Sequence, residues 1–426
     1  MVLDGPYLPI DVDESPQYSP AATSIITIRS TPHSLPQPQN WEPSSALKGE
    51  ADYDGASAAY GVALEYENGL HGTTQDDEKA AVWHMTSASR GYAPAQYSLA
   101  VMYDEGRGLL QSDTEAKRWY LLAAAQDHPK AAFNLGLFFE NGQGVAKDYE
   151  AALMWFLKAA ELGDASAIYN VGVAFDQGKG VEQDLGKAFE WYIRAAEKQH
   201  ASAEHNLGNM YEDGEAPGGQ DHIKAMEYYL RAAGRGHAKA QFDAGLLYDT
   251  GKDVNQDSRK ALRWYLKCAE QDHAPAQFNI AFMYEHGEGV GRDLGKAFEW
   301  YLKAAGQGHA KAQYSIGMLY QSGVEGKVER DLGVAEEWLE KAAGQGHEPA
   351  RRDLEVLSAL YMYGEGVVQD HAKALTWFHK AAKQGYASAQ YNIVLQYNHC
   401  HGVAQASTRL RMVSEGSRPR IHCGSG

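Results

Sequence analysis

Residue types able to do chemistry occur at four places in this sequence. Ser45-Ala46-Leu47-Lys48 has the S-x-x-K spacing in which a lysine amine activates a serine nucleophile. His399, Cys400, His401, His422 and Cys423 gather the nitrogen and sulfur ligands that zinc takes, although their spacing matches no standard zinc pattern. Six histidines, at positions 128, 200, 237, 273, 309 and 347, recur along the chain, and so do seven acids placed directly after a Tyr or Phe: Glu67, Asp104, Glu140, Asp176, Glu212, Asp249 and Glu285. What each group can do depends on the elements that hold it.

Those elements follow from a repeat. The nonapeptide DLGKAFEWY begins at Asp184 and again at Asp293, and the second-half aromatics Trp83, Trp119, Trp155, Trp191, Tyr228, Trp264, Trp300, Trp338 and Trp377 follow one another at 36 to 39 residues. A fixed period in the range of 20 to 50 residues marks a solenoid of stacked units. In the first half of a unit, Ala95, Leu99, Met102 and Tyr103 fall on one helical face, and Gly106 supplies a left-handed stop. The second half opens at an Asp such as Asp184, which caps the free amides, and aligns Ala188, Trp191 and Ala195. Burying one such indole removes roughly 200 Å² from water, so the tryptophans are expected in the core.

Placed on these elements, most of the chemistry dissolves. Eight of the 14 prolines lie between Pro6 and Pro43, so residues 1–50 read as a disordered Pro/Ser-rich tail that cannot hold Ser45 against Lys48. Within it, Ser15-Pro16, Ser19-Pro20 and Thr31-Pro32 have the proline-directed phosphorylation pattern, and Ile25–Ile28 is a short apolar patch. The His/Cys cluster falls at the frayed end of the array, with residues 404–426 expected to be loosely ordered. Histidines on successive units stand about 10 Å apart, beyond the ~2.1 Å reach of shared zinc ligation, and read as junction residues. The G-x-G pairs end helices rather than open them, which is turn geometry and not a phosphate loop. No catalytic residue, metal ligand or cofactor is assigned.

The formal charge of -17 disfavours nucleic acid and anionic membranes as partners. Three cysteines suit a reducing compartment. With no apolar run of signal-peptide or membrane-span length, the expectation is a cytoplasmic or nuclear protein without direct membrane insertion.

The recurring letters approximate A-x-x-A-x-x-x-L-G-x-x-Y-x-x-G-x-G-V, then D-x-x-K-A-x-x-W-Y-x-K-A-A-x-x-G. They are clearest from Ala276 through Gly287, Gly289, Val290, Lys296, Ala297, Trp300, Tyr301, Lys303, Ala304 and Ala305 to Gly308. This resembles the Sel-one-like repeat family, relatives of the tetratricopeptide repeats, over residues 51–403. The resemblance implies an all-α, right-handed superhelical α-solenoid of about nine and a half helix-turn-helix repeats. Irregularities are expected at Ala216–Gly219, at the turn Gly323–Arg330, and near Arg351–Asp353, where the ninth unit gains about three residues. Bacterial members associated with β-lactam hydrolysis carry a disulfide in each repeat, which this chain lacks.

Two rows remain as binding candidates. The acids either pair locally with lysines and turn amides or form a ridge for a basic segment. A second row, Asn134, Asn170, Asn206, Asn279 and Asn392, lies where tetratricopeptide relatives line a concave groove. There an amide can bond the backbone of an extended peptide, or else satisfy local backbone while neighbours such as Phe278, Phe282, Tyr314 and Met318 seal adjacent units. The function these features imply is a non-catalytic adaptor or scaffold for proteins; the alternatives are a regulatory activator of a partner enzyme, such as a cell-wall synthase, and, more remotely, a hydrolase of the β-lactamase-associated type.

Overall fold

The computed structural model describes residues 53–364, 369–383 and 387–398. The serine-lysine pair, the phosphorylation motifs, the isoleucine patch and the His399–Cys423 cluster lie outside them. The described residues form nineteen α-helices, from Tyr53–Asn68 to Ala387–Asn398, with no β-strand; they pair into nine helical hairpins and one further first helix, an all-α solenoid.

The fourth unit shows why each hairpin forms. Its first helix, Ala165–Gln177, ends at Gly178, whose φ of 66° returns its amide to the Ala174 carbonyl. Its second helix, Leu185–Glu197, starts where Asp184 accepts the Lys187 amide at 3.0 Å. The Asp184 amide meanwhile donates to the Phe175 carbonyl at 2.9 Å, fixing the start of one helix against the end of the other. Both ends are therefore satisfied by residues that the repeat supplies.

Glycine sets how closely helices and units approach. A Cβ on Gly172 would stand 2.7 Å from the Tyr192 ring, so the two helices of the unit touch at backbone distance. Gly180, second of the turn's G-x-G pair, has φ +69° and would place a Cβ 2.3 Å from the Tyr149 carbonyl of the preceding unit. That glycine is needed twice, for its conformation and for the close approach between units.

Of the expected stripe, Ala95, Leu99 and Met102 are inaccessible and Tyr103 is half-buried; Ala188 and Ala195 are inaccessible as well. The indoles correct the expectation of a tryptophan core. Trp119, Trp155, Trp191 and Trp377 are buried, but Trp264, Trp300 and Trp338 are half-buried and Trp83 is 38% exposed. Trp191, Trp264, Trp300 and Trp338 each lie beneath a cation three residues on, as with Arg194 over Trp191 and Lys303 over Trp300, both at 4.1 Å. The deepest aromatic layer is the next residue in sequence: Tyr120, Tyr192, Tyr229, Tyr265 and Tyr301. A tyrosine there faces its own unit's first helix, whereas at Trp264, Trp300 and Trp338 the indole lies partly in solvent with a lysine over its face.

The irregular units are absorbed locally. Ala216 turns inward and is buried. The eighth turn closes through an isolated antiparallel bridge between Val324 and Val328, both buried. The ninth unit's extra residues lengthen its first helix to 16 residues, Glu348–Tyr363, and Asp353 there receives the Tyr314 hydroxyl at 2.8 Å.

Candidate binding face

The acidic row is where the first helices end, and every acid in it has a donor within the chain. The second-helix tyrosines donate their hydroxyls to Asp104 (3.4 Å), Asp176 (3.0 Å), Glu212 (2.7 Å), Asp249 (3.4 Å) and Glu285 (2.6 Å). Burial pushes all five phenols well above their ordinary range, so they remain protonated donors. Burial likewise raises the carboxyls of Asp104 and Asp249.

Two of these units lack that tyrosine and use nitrogen groups instead. In the first unit His84 takes its place, with Nε2 3.2 Å from Glu67, and Arg107 of the next unit adds a bond of 2.9 Å. The His84 bond, ahead of the other causes, lowers the Glu67 carboxyl to about 2. In the third unit Phe156 takes its place, and Lys179 pairs with Glu140 at 3.3 Å.

The asparagine row serves the same junction. Asn134 donates Nδ2 to the Tyr120 hydroxyl of the preceding unit at 2.9 Å. Asn206 lies within hydrogen-bonding reach of Tyr169 and Tyr192, and Asn279 of Tyr265. Asn392 is half-buried on the last described helix. Asn170 differs: its neighbour is Phe156, and it makes no hydrogen bond among the described residues. Instead it lines a partly open cleft of about 20 Å³ with Glu140, Lys179, Leu153, Phe156 and Val173.

The six junction histidines are N-caps. Each Nδ1 accepts an amide N–H from the third residue of the helix it opens, at 3.2 to 3.3 Å. Each ring also lies 4.6 to 4.9 Å from an aromatic or imidazole ring of the preceding unit. Asp164 fills the same position before the fourth unit.

With those rows engaged inside the chain, the uncovered part of the first-helix face lies three residues beyond the amide row. Leu137, Val173, Leu246, Phe282 and Met318 occupy it in successive units, interrupted by Asn209. Leu246 is 37% exposed and Phe282 39%, the latter stacked on His286 one turn later. Of this row, only Phe282 and Met318 stand out from the sequence; the rest become legible once the units are aligned on the asparagines. Among the described residues no helix is long and apolar enough to cross a membrane, and no three His, Cys, Asp or Glu side chains are placed to share a metal ion.

The Sel1 repeat family model matches the chain nine times, over residues 56–92, 93–128, 129–164, 165–200, 201–237, 238–273, 274–309, 310–347 and 356–386. The chain is a Sel1 repeat protein. Among solved structures, this Sel1 repeat protein is similar to c5321, a protective antigen present in uropathogenic Escherichia coli strains that displays an SLR fold. The identity is 33%, over 82% of this chain and 73% of that one, with a TM-score of 0.63. It is also similar to a Sel1 repeat protein from Oxalobacter formigenes, at 31% identity over 73% of this chain and 88% of that one, with a TM-score of 0.53. No curated protein matches. In two units of this Sel1 repeat protein the acid and the tyrosine are lost together, Gln321 with Leu339 and Met362 with Phe378, whereas the first and third units keep the acid beside His84 and Phe156. That joint loss is the signal by which the pairing was open to discovery from sequence.

Proposed function

We propose that the protein is a non-catalytic scaffold that holds other proteins, as extended or basic segments, along the face formed by its first helices. Support comes from what a tandem Sel1 solenoid generally offers, an elongated surface of repeated contacts rather than an enclosed reaction cavity. The observation that carries the reading is the apolar row through Leu246 and Phe282, which no described element covers. Side chains at one position of successive helices recur at about 10 Å, close to the roughly 9 Å that one three-residue turn of polyproline-II chain spans, so an extended segment of that kind with an apolar residue at every third position fits the row. The net charge of -17 favours segments carrying lysine or arginine. Sparse cysteines and a free, buried Cys268 suit the cytoplasm or nucleus.

Because Asp176 and Asn206 engage buried tyrosines, substituting them confounds binding with folding. Leu246→Asp with Phe282→Asp leaves those bonds intact. Proteins held by the full chain from its own cell should be lost at least tenfold on this double variant at unchanged melting temperature. Retention of the same partners in the same amounts would remove this face from the proposal.

A further inference from the structure

The third unit lacks one atom that five others possess. In those five a tyrosine hydroxyl sits between the acid that ends the first helix and the first helix of the next unit. Phe156 holds its ring in the same place: a Cβ on Gly136 would stand 2.4 Å from it, just as a Cβ on Gly172 or Gly208 would crowd Tyr192 or Tyr229. The groups that bond the hydroxyl elsewhere are nevertheless kept. Glu140 is present as the acid and Asn170 as the amide, and Asn170 is without a hydrogen bond among the described residues. Between them is the cleft of about 20 Å³, floored by Phe156 and walled by Leu153 and Val173. A water-sized group needs roughly 10 to 15 Å³. The space is therefore large enough for one oxygen and too small for a ring.

The geometry points to a hydroxyl-binding site here, in which an alcohol group of a bound segment, from a serine or threonine side chain, takes the position that the other units fill with their own tyrosine oxygen. The alcohol donates its hydrogen to Glu140, as Tyr192 does to Asp176, and accepts from the Asn170 amide, as Tyr120 accepts from Asn134. Lys179 lies 3.3 Å from Glu140 and holds that carboxylate at the mouth of the cleft. A phenol is excluded by the free volume, and an amine meets Lys179. A methyl leaves the Asn170 amide without a partner and gives Glu140 no second donor beside Lys179, which makes the site discriminate serine from alanine rather than merely accept it. Its place beside Val173 in the apolar row makes it a register mark, since among the described residues one unit junction has it. That role rests on the scaffold reading; the binding of a hydroxyl does not.

The full chain, labelled at leucine and valine methyls, is titrated with N-acetyl-serinamide and separately with N-acetyl-alaninamide, and the Leu153 and Val173 signals are followed. The serine compound should move them in a saturable way at millimolar concentration and the alanine compound should not. Phe156→Tyr, which supplies the oxygen from within, should abolish the response. Asn170→Ala should weaken it about fivefold, the worth of one hydrogen bond near 1 kcal/mol. Equal responses to the two compounds, or none to either, mean that solvent water alone uses the cleft, and the proposal fails. It fails equally if Phe156→Tyr responds like the parent, or, should that variant not fold, if Asn170→Ala does. None of these outcomes depends on a protein partner, so the scaffold reading stands or falls separately.

Discussion

Tyr192 donates its hydroxyl to Asp176 across 3.0 Å, tying the middle of one helix to the end of its partner sixteen positions earlier in the chain. A carboxylate at a helix C-terminus opposes the macrodipole by a few tenths of a kcal/mol or more. Here the opposition is offset by a charge-assisted bond to a buried phenol that has no water to turn to.

Tyr192→Phe removes that donor and leaves a half-buried carboxylate facing an apolar ring. We expect a loss of about 1 to 2 kcal/mol in urea unfolding. Phe156→Tyr makes the reverse change and should raise the unfolding midpoint. A neutral result for both would mean that the bond exchanges evenly with water.

Gly180→Ala and Gly172→Ala test the two kinds of close approach. The first forces a left-handed backbone on alanine and drives its Cβ into the Tyr149 carbonyl; the second meets an aromatic ring that can tilt. Melting temperature should fall further for Gly180→Ala, by an amount corresponding to about 3 kcal/mol or more against about 1 to 3 for Gly172→Ala.

Glu204 is fully buried and held by Arg231 at 3.0 Å and Arg235 at 3.0 Å. In other units the same two positions form amide pairs, such as Gln126 with Gln96 and Gln271 with Gln241. Removing both arginines strands a buried charge and should cost about 3 to 5 kcal/mol. Glu204→Gln combined with Arg235→Gln recreates the amide pair and should cost less than about 1 kcal/mol. Thermal unfolding of the two double variants separates these outcomes.

The six histidine caps make stability depend on pH. Each Nδ1 must be unprotonated to accept its amide, and burial lowers these imidazoles, His237 to about 4. Folded values below the unfolded 6.5 mean that the unfolded chain takes up protons first. The caps therefore contribute fully above about pH 6.5, and their contribution is lost as pH falls through the folded values. Asparagine caps without titrating, so His128→Asn with His309→Asn should flatten the decline in melting temperature between pH 6.5 and 4. An unchanged slope would place the acid sensitivity elsewhere.

The caps, turns and helix pairs were legible because each depends on residues within one turn of each other. Asp184 caps Lys187, and Gly178 closes on Ala174, whatever surrounds them. Nine spaced copies then dictate stacking, since one hairpin alone leaves its apolar stripe in water. The fates of the recurring side chains were another matter. Asp176 and Asn134 have the charge and the amide that a peptide-binding row requires, yet their donor and acceptor are tyrosines in other helices, brought within 3 Å only by packing. The tryptophans look like the core by area alone, but the small residues opposite, Gly172 and its counterparts, admit the neighbouring tyrosine ring more deeply. Sequence by itself determined the element, its ends and its period, because those are local. Only the tertiary structure decided which polar groups are consumed and which, like Asn170, are left over, because that depends on the distance between atoms far apart in the chain.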